Sequence, residues 1–224
     1  MMFDLRLLAV RTDLADSALR NMFLAPRYAD PCLAFCAVPF VPIRSAPGGE
    51  RTSELLHGER FMVLDDHDGW SWGWCAHDHY VGYVESVALG DALPFNEKSA
   101  NDSVEAAMRY VDMPYLLSGR GGAGIDCSGL IQRSFAATGF CAPRDSDMQR
   151  NMGNSVGATE PLQRGDLIGF AGHIGMMIDQ LNLIHATSHW GRVLVEPLEV
   201  VENRTKILTR ARLCYPSVTE EARR

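Results

Sequence analysis

Long apolar runs, an excess of basic residues and a regular cysteine pattern are all missing from this 224-residue sequence. No segment has about 18 uninterrupted apolar residues, so the sequence predicts no membrane-spanning helix and no membrane partner. The formal net charge is −7 and the 21 lysines and arginines are scattered, which argues against binding to nucleic acid. The six cysteines are few and unevenly spaced, so we expect neither a disulfide framework nor a structural zinc site.

The beginning of the sequence does not have the pattern of an export signal. The first 20 residues have no basic region, long apolar run or small-residue cleavage site of an export signal, so we expect a cytoplasmic protein with reduced thiols. Apolar positions within residues 12–23 follow helical spacing behind Thr12 as a possible cap. Residues 1–30 are therefore predicted to form an N-terminal helical segment, whose role the sequence leaves open.

The residue composition and the predicted secondary structure change twice after this segment. Within residues 31–92, short runs rich in Val, Phe, Trp and Tyr are separated by turn signals such as Pro-Gly-Gly and Asp-Gly, which predicts a small all-β barrel. Residues 93–101 have the composition of a linker. Residues 102–224 begin with a helix capped by Asp102 and continue with a second helix and then strands, which predicts an α+β domain.

The stretch GIDCSGLIQRSFAATG, residues 124–139, places Cys127 at the start of a predicted helix. A helix N-terminus carries about half a unit of positive charge, which favours the thiolate over the thiol. The thiolate is the form of cysteine that attacks a carbonyl carbon. A buried cysteine that only packs in the core is the alternative, so the function depends on whether histidines reach Cys127.

Two histidines of the second domain have a spacing that suits this chemistry. His173 opens the run HIGMMID, and His185 lies within LNLIHATS. Two strands joined by a turn at residues 179–182 would bring these side chains together, so that one imidazole faces Cys127 and the other orients it. From this pattern alone, a catalytic cysteine and a packing cysteine both remain open.

The succession of motifs resembles the NlpC/P60 cysteine peptidases, which cleave the stem peptides of peptidoglycan. It runs Y-L-x-S-G-x(5)-I-D-C-S-G-L, then R-D-S, R-G-D-L, H-I-G-M and L-I-H-A, over about residues 104–213. The resemblance implies a papain-like α+β domain in which Cys127 is the nucleophile, His173 the general base and His185 the residue that orients it. It also implies that the hydroxyl of Tyr115 lies near the oxyanion site, and it implies no metal or cofactor.

The first domain resembles a bacterial SH3 domain. An SH3-like domain ahead of an NlpC/P60 domain is similar to the γ-D-glutamyl-L-diamino acid endopeptidases, in which it closes one end of the groove and admits only peptides with a free N-terminal L-alanine. The positions that match the family's binding residues for this end of the peptide are Glu54, Tyr80, Asp126, Ser128, Asp145 and Ser146. Carboxylates are suitable partners for a buried ammonium. One departure is Leu117-Ser118, where the family usually has an aromatic residue and a glycine.

The resemblance therefore implies a cytoplasmic cysteine endopeptidase that hydrolyses the γ-D-Glu–diamino acid bond of small murein stem peptides, as in peptide recycling. Two alternatives stay open at the level of the sequence. A Cys–His amidase or acyltransferase of the same fold would act on another amide or ester, for which Leu117-Ser118 leaves room. A non-catalytic module would bind peptide through the first domain, although three intact residues, Cys127, His173 and His185, argue against it. The sequence indicates neither the preferred diamino acid nor the oligomeric state.

Overall fold

The computed structural model describes residues 3–95 and 97–213, so the end of the predicted second domain and Cys214 lie outside the described residues. The strands of the first half are β1 (Leu14–Asp16), β2 (Arg27–Ala29), β3 (Cys32–Cys36), β4 (Phe40–Arg44), β5 (Arg51–Leu56), β6 (Arg60–His67), β7 (Trp70–Cys75), β8 (Val81–Glu85) and β9 (Leu89–Gly90). Those of the second half are β10 (Asn154–Ser155), β11 (Leu167–Phe170), β12 (His173–Met177), β13 (Asn182–Thr187), β14 (Arg192–Pro197) and β15 (Thr209–Arg212). The helices are α1 (Ser103–Met108), α2 (Cys127–Ala136), α3 (Ser146–Gln149) and α4 (Leu198–Glu202). None of the helices in this described part is long and apolar enough to cross a membrane.

Residues 12–23 do not form the predicted helix. They contain β1, which pairs in parallel with β2, and a single 3-10 turn capped by the Asp16 side chain. Leu14 is fully buried in a cluster that includes Trp72 of the first domain, and the indole N–H of Trp74 donates to the Asp16 carboxylate at 3.0 Å. Short helices depend on packing for their stability, and here packing against the first domain favours an extended chain instead.

The first domain is a seven-stranded antiparallel sheet with the order β5-β4-β8-β7-β6-β3-β9. Apolar side chains on one side of its strands form a buried cluster that contains Ile43, Leu55 and Phe61. The strands β6 and β7 approach closely at Gly73, where a Cβ atom would lie 1.9 Å from the carbonyl oxygen of Met62. The prediction of a small β domain ahead of the second half is confirmed.

The second domain is a six-stranded antiparallel sheet with the order β10-β15-β11-β12-β13-β14, and α2 packs on β12 and β13. The helix and the sheet share one apolar core, which includes Leu130, Ile131, Phe135, Ile174, Met176, Ile184 and Val193. Asp102 caps α1 as predicted, because its carboxylate accepts a hydrogen bond from the Glu105 amide at 2.7 Å. The predicted α+β class, with helices first and strands after them, is confirmed.

Buried polar contacts hold the first domain against the second. The guanidinium of Arg120 pairs with the Glu59 carboxylate at 2.6 Å, and both side chains are almost completely buried. Nε of Arg144 donates to the Ser53 hydroxyl at 2.9 Å. Removing either partner of such a buried pair leaves an unsatisfied charge or polar group, so these contacts fix where the first domain meets the groove described below.

Candidate active site

The helix α2 begins at the predicted position because Asp126 caps it. The Asp126 carboxylate accepts a hydrogen bond from the Gly129 amide at 2.6 Å, which satisfies one of the free N–H groups of the first turn. Cys127 is the first residue of the helix, and its side chain is buried in the core between helix and sheet. The amides of Ser128 and of Ile174, the residue after His173, direct hydrogen bonds to its sulfur. The fold thus brings the cysteine to the first residues of β12.

Burial, and not the helix terminus, dominates the ionisation of Cys127. Desolvation, together with the nearby Asp126 carboxylate, raises the pKa of the thiol to about 12, against the opposing effects of the Ile174 amide and Arg144. The Ser128 amide at the start of α2 lowers the pKa of Cys127, as the sequence argument expects, but burial outweighs this effect. At neutral pH Cys127 is a thiol, and it needs a base to become a nucleophile.

The two predicted histidines meet through their rings. β12 and β13 are antiparallel with Met176 opposite Ile184, which makes His173 and His185 diagonal neighbours on these strands. Nε2 of His173 lies 2.9 Å from Nδ1 of His185. The prediction that two neighbouring strands bring these imidazoles together is confirmed.

A buried glutamate, Glu196 on β14, extends this pair. Its Oε2 atom lies 2.8 Å from Nε2 of His185, and the indole N–H of Trp190 and the guanidinium of Arg204 donate to the same carboxylate. Burial would raise the pKa of Glu196, but the hydrogen bonds from Arg204, Trp190 and His185 outweigh it and lower the pKa to about 2. Glu196 is therefore ionised across the neutral range, and it acts as an acceptor only.

This chain of contacts determines which ring nitrogens carry protons. Because ionised Glu196 can only accept, Nε2 of His185 must be the protonated nitrogen, and Nδ1 of neutral His185 is then an acceptor. Nε2 of His173 therefore donates to His185, which leaves Nδ1 of His173 as the basic atom. Burial and the neighbouring His185 lower the pKa of His173 to about 4. At neutral pH the candidate pair is thus a thiol and a neutral imidazole.

Cys127 lines one groove of the protein, and His173 and His185 line a second groove. Tyr115 and Gly172 line both grooves. Burial, Cys127 and Asp126 raise the pKa of Tyr115 to about 12, so its hydroxyl keeps its proton at neutral pH. Leu117 and Ser118, which stand where the family usually has an aromatic residue and a glycine, line the groove of Cys127. Leu117 is exposed there, and Ser118 has a left-handed backbone with φ of 62°. This conformation suits glycine, which explains why a glycine is usual there.

The same groove has an acidic end at the start of α3. Asp145, Ser146 and Asp147 line it, and Oδ2 of Asp145 accepts hydrogen bonds from the Tyr80 hydroxyl at 3.1 Å and from Nη1 of Arg6 at 2.8 Å. Burial raises the pKa of Asp145 despite these donors. Three of the predicted binding residues, Tyr80, Asp145 and Ser146, therefore come together, although Tyr80 reaches the groove only through Asp145.

The structure contradicts the prediction for Glu54, because this residue does not reach the groove. Its side chain is 0% exposed, and both carboxylate oxygens have partners: Oε1 pairs with Arg51, while Oε2 accepts from the amides of Arg120 and Gly122 at 2.9 Å each. Glu54 joins the first domain to the glycine-rich loop of the second, which is a structural role.

Asp126 and Ser128 line the groove, but the side chains of both already accept hydrogen bonds from Arg144. Arg144, which is almost completely buried, donates to both Asp126 oxygens at 2.8 and 3.1 Å and to the Ser128 hydroxyl at 2.9 Å. With the amides of Gly129 and Ser118 added, the Asp126 carboxylate has few acceptor positions left. Asp126 therefore caps α2 and pairs with Arg144, and its contact with a substrate stays a prediction.

Sequence reasoning missed three charged residues of the site: Arg6, Arg144 and Glu196. Arg144 stands beside Asp145 in the R-D-S motif, which is a signal of its importance but not of its partners. Glu196 is a charged residue at a buried position of the run RVLVEP, and such a residue requires a partner. Nothing in the local sequence around Arg6 indicates the groove, because its partners lie about 140 residues further along the chain.

Comparison with known proteins agrees with this division of the chain. Residues 43–89 match the family model described as the bacterial dipeptidyl-peptidase SH3 domain, and residues 112–209 match that of the NlpC/P60 family. The chain is 38% identical over 164 residues to the murein DD-endopeptidase MepS/murein LD-carboxypeptidase of Escherichia coli K12. That alignment covers 70% of this chain and 80% of the relative.

Two relatives from Bacillus are named γ-D-glutamyl-L-lysine dipeptidyl-peptidase. The protein from Bacillus cereus is 34% identical over 108 residues, which are 45% of this chain and 32% of the relative. The protein from Bacillus subtilis is 30% identical over 110 residues, which are 45% of this chain and 37% of the relative. The chain thus spans only about a third of the length of these two relatives.

Proposed function

This chain belongs to the NlpC/P60 family, and we propose that it is a peptidoglycan hydrolase that acts as a cysteine endopeptidase on murein stem peptides. The proposed bond is the one between γ-D-Glu and the diamino acid, in peptides that carry a free N-terminal L-Ala. The substrates would be peptides released during wall turnover, and the proposed place of action is the cytoplasm. The names of the Bacillus relatives support the choice of bond.

One observation carries the proposal: a single groove is lined both by the candidate nucleophile Cys127 and by the acidic end at Asp145. A short peptide with a terminal ammonium would place this charge against Asp145, since carboxylates bind an ammonium in a partly buried site. Its γ-carbonyl would then approach Cys127. The substrate is thus selected by charge at one end and attacked at a fixed distance from that end.

The proposed reaction has two steps. As Sγ of Cys127 attacks the γ-carbonyl carbon, its proton passes to Nδ1 of His173, which then protonates the leaving amine of the diamino acid as the C–N bond breaks. A thioester remains on Cys127. His173 next takes a proton from water as the water oxygen attacks the thioester. The C–S bond breaks, the proton on His173 returns to Sγ of Cys127, and L-Ala-γ-D-Glu leaves as the free acid. The Cys127 amide at the start of α2 and the Tyr115 hydroxyl are suited to stabilise the oxyanion.

The test is hydrolysis of two matched peptides, L-Ala-γ-D-Glu-meso-diaminopimelate and its N-acetylated form, with L-Ala-γ-D-Glu or its acetylated form detected by mass spectrometry. We expect the free peptide to be cleaved and the acetylated one to react much more slowly, because acetylation removes the positive charge. Cleavage of both at equal rates would contradict the requirement for a free amine. Cleavage of neither would favour an amidase or acyltransferase of the same fold, for which Leu117 in the groove wall leaves room.

We expect kcat to stay nearly constant as the pH falls from neutral toward the pKa of His173. Since His173 has a pKa of about 4 and Cys127 one of about 12, the thiol and the basic imidazole coexist throughout the neutral range. His173 loses its basic form as the pH falls through about 4, so kcat should decrease only there. The measurement is kcat at saturating free peptide between pH 3.5 and 8, with circular dichroism at each pH to check that the protein is folded.

His57, an exposed histidine of the first domain, provides the control for this profile. His57→Gln should leave the acid limb where it is in the wild type. An acid limb between pH 6 and 7 in the wild type would show that the catalytic histidine has an ordinary pKa, and it would refute the neutral thiol–imidazole pair.

A further inference from the structure

The N-terminal segment reaches the groove through one side chain, Arg6. The carbonyl oxygen of Arg6 accepts a hydrogen bond from the Val81 amide at 2.8 Å, and Leu7 packs against the core of the first domain. These two contacts fix the backbone of the segment beside β8. The guanidinium of Arg6 then extends into the groove that contains Cys127.

The Arg6 guanidinium uses all of its N–H groups on three carboxylates. Nε and Nη2 donate to Asp4 at 3.0 and 2.7 Å, and Nη1 and Nη2 donate to the two oxygens of Asp147 at 3.0 and 2.8 Å. The second proton of Nη1 goes to Oδ2 of Asp145 at 2.8 Å. Such fork-shaped contacts fix both the position and the orientation of a carboxylate.

This arrangement leaves one oxygen of Asp145 available. Arg6 and Tyr80 both donate to Oδ2, and within residues 3–95 and 97–213 no hydrogen bond reaches Oδ1. The three carboxylates exceed the single guanidinium by two negative charges. Of the other cations at the groove, Arg144 is paired with Asp126, and Nη1 of Arg150 donates to the carbonyl oxygen of Phe170. The acidic end therefore retains both an oxygen and the charge to accept one more cation.

We propose that Arg6 is a positioning residue of the substrate groove, which orients Asp145 so that its Oδ1 atom binds the ammonium of a peptide's free N-terminus. The inference rests on the proposed function, and it assigns a role to the N-terminal segment. Without Arg6, Asp145 and Asp147 would repel each other at the start of α3, and among the described residues only the Tyr80 hydroxyl would still donate a hydrogen bond to the Asp145 carboxylate. The opposite role, in which Arg6 occupies Asp145 and competes with the ammonium, predicts the opposite effect of a substitution.

The experiment measures peptide affinity by calorimetry in the full chain with Cys127→Ala, which prevents turnover. The ligands are L-Ala-γ-D-Glu-meso-diaminopimelate and its N-acetylated form. We expect Arg6→Ala to weaken binding of the free peptide about tenfold, which is the scale of one lost charge-assisted contact. Binding of the acetylated peptide should not change. Arg6→Lys keeps the charge but loses the fork, so it should recover part of the affinity.

Arg27 offers a matched control in the same segment. It also pairs with a carboxylate, that of Asp65 at 3.0 Å, but it does not line the groove, so Arg27→Ala should leave both affinities unchanged. Melting temperatures of all variants exclude a general loss of the fold. In the active chain, Arg6→Ala should raise KM for the free peptide and leave kcat unchanged.

The pH dependence of KM supplies a readout that a merely structural role would not change. Asp145 faces Arg6, Arg144, Tyr80 and Asp147, and removing the Arg6 charge raises the pKa of Asp145 further. Because only the ionised carboxylate binds an ammonium, KM of Arg6→Ala should rise at a higher pH than KM of the wild type as the solution is acidified. A KM that rises at the same pH in both proteins would contradict the role.

The binding results distinguish a failure of the proposed function from a failure of the role of Arg6. If the protein with native Arg6 binds neither peptide, the proposed function is wrong and the role of Arg6 falls with it. If that protein prefers the free peptide and Arg6→Ala prefers it equally, only the role of Arg6 is wrong. Tighter binding by Arg6→Ala would show that Arg6 is a competitor of the substrate.

Discussion

Replacing Cys127 with alanine is expected to lower kcat on the free murein peptide by roughly 10⁴-fold or more, because the proposed nucleophile is removed. The fold should survive, since the side chain loses a single sulfur atom from a core that many other apolar residues share. The measurement is turnover by mass spectrometry together with the melting temperature. A nearly native rate in Cys127→Ala would refute the assignment of the nucleophile.

Cys75 is the matched control for this substitution. It is another buried cysteine, it lies on β7 in the core of the first domain, and burial raises the pKa of its thiol strongly. Cys75→Ala should cost stability on the scale of a small cavity, about 1 kcal/mol, while kcat stays close to that of the wild type. The pair of variants separates the loss of a nucleophile from the loss of a buried sulfur.

Glu196→Gln is expected to reduce kcat by roughly 10² to 10⁴-fold, with a smaller change in KM. The glutamate does not line the groove of Cys127. Its proposed effect is through His185, whose Nε2 it contacts, and thus through the tautomer of His173. A neutral amide can present either a donor or an acceptor to His185, so the orientation of both imidazoles is no longer determined.

Glu199 is an exposed glutamate three residues further on, at the start of α4, and Glu199→Gln provides the control. It should leave kcat and KM unchanged. A variant Glu196→Gln that keeps wild-type kcat would show that His173 does not depend on the glutamate, and the chain of contacts from Glu196 to His173 would then be structural only.

Much of the site could be predicted because its determinants are local. Asp126, Cys127 and Gly129 form a cap-and-helix signal within a few residues, and the apolar runs around His173 and His185 indicate strands whose shared turn is short. The succession of motifs then gives the order of elements. For these residues, the local structure and the proposed role are encoded in the same short stretches.

The remainder depends on contacts between distant parts of the chain. The apolar pattern of residues 12–23 predicts a helix, yet Leu14 is buried against Trp72 and the backbone follows the first domain as a strand. Arg6 and Glu54 have partners more than 60 residues away, so their sequence neighbours do not reveal whether they reach the groove. The pKa of Cys127 likewise depends on its depth of burial, which a helix signal does not report.

The central claim is that Cys127 forms a thioester with the γ-carbonyl carbon of the D-glutamyl residue. Its most direct test is to run the hydrolysis of L-Ala-γ-D-Glu-meso-diaminopimelate in the presence of hydroxylamine and to identify the products by mass spectrometry. We expect hydroxylamine to intercept the thioester, so that the γ-hydroxamate of L-Ala-γ-D-Glu forms beside the free acid, and we expect Cys127→Ala to give neither product. Formation of the free acid alone, or of either product by Cys127→Ala, would contradict it.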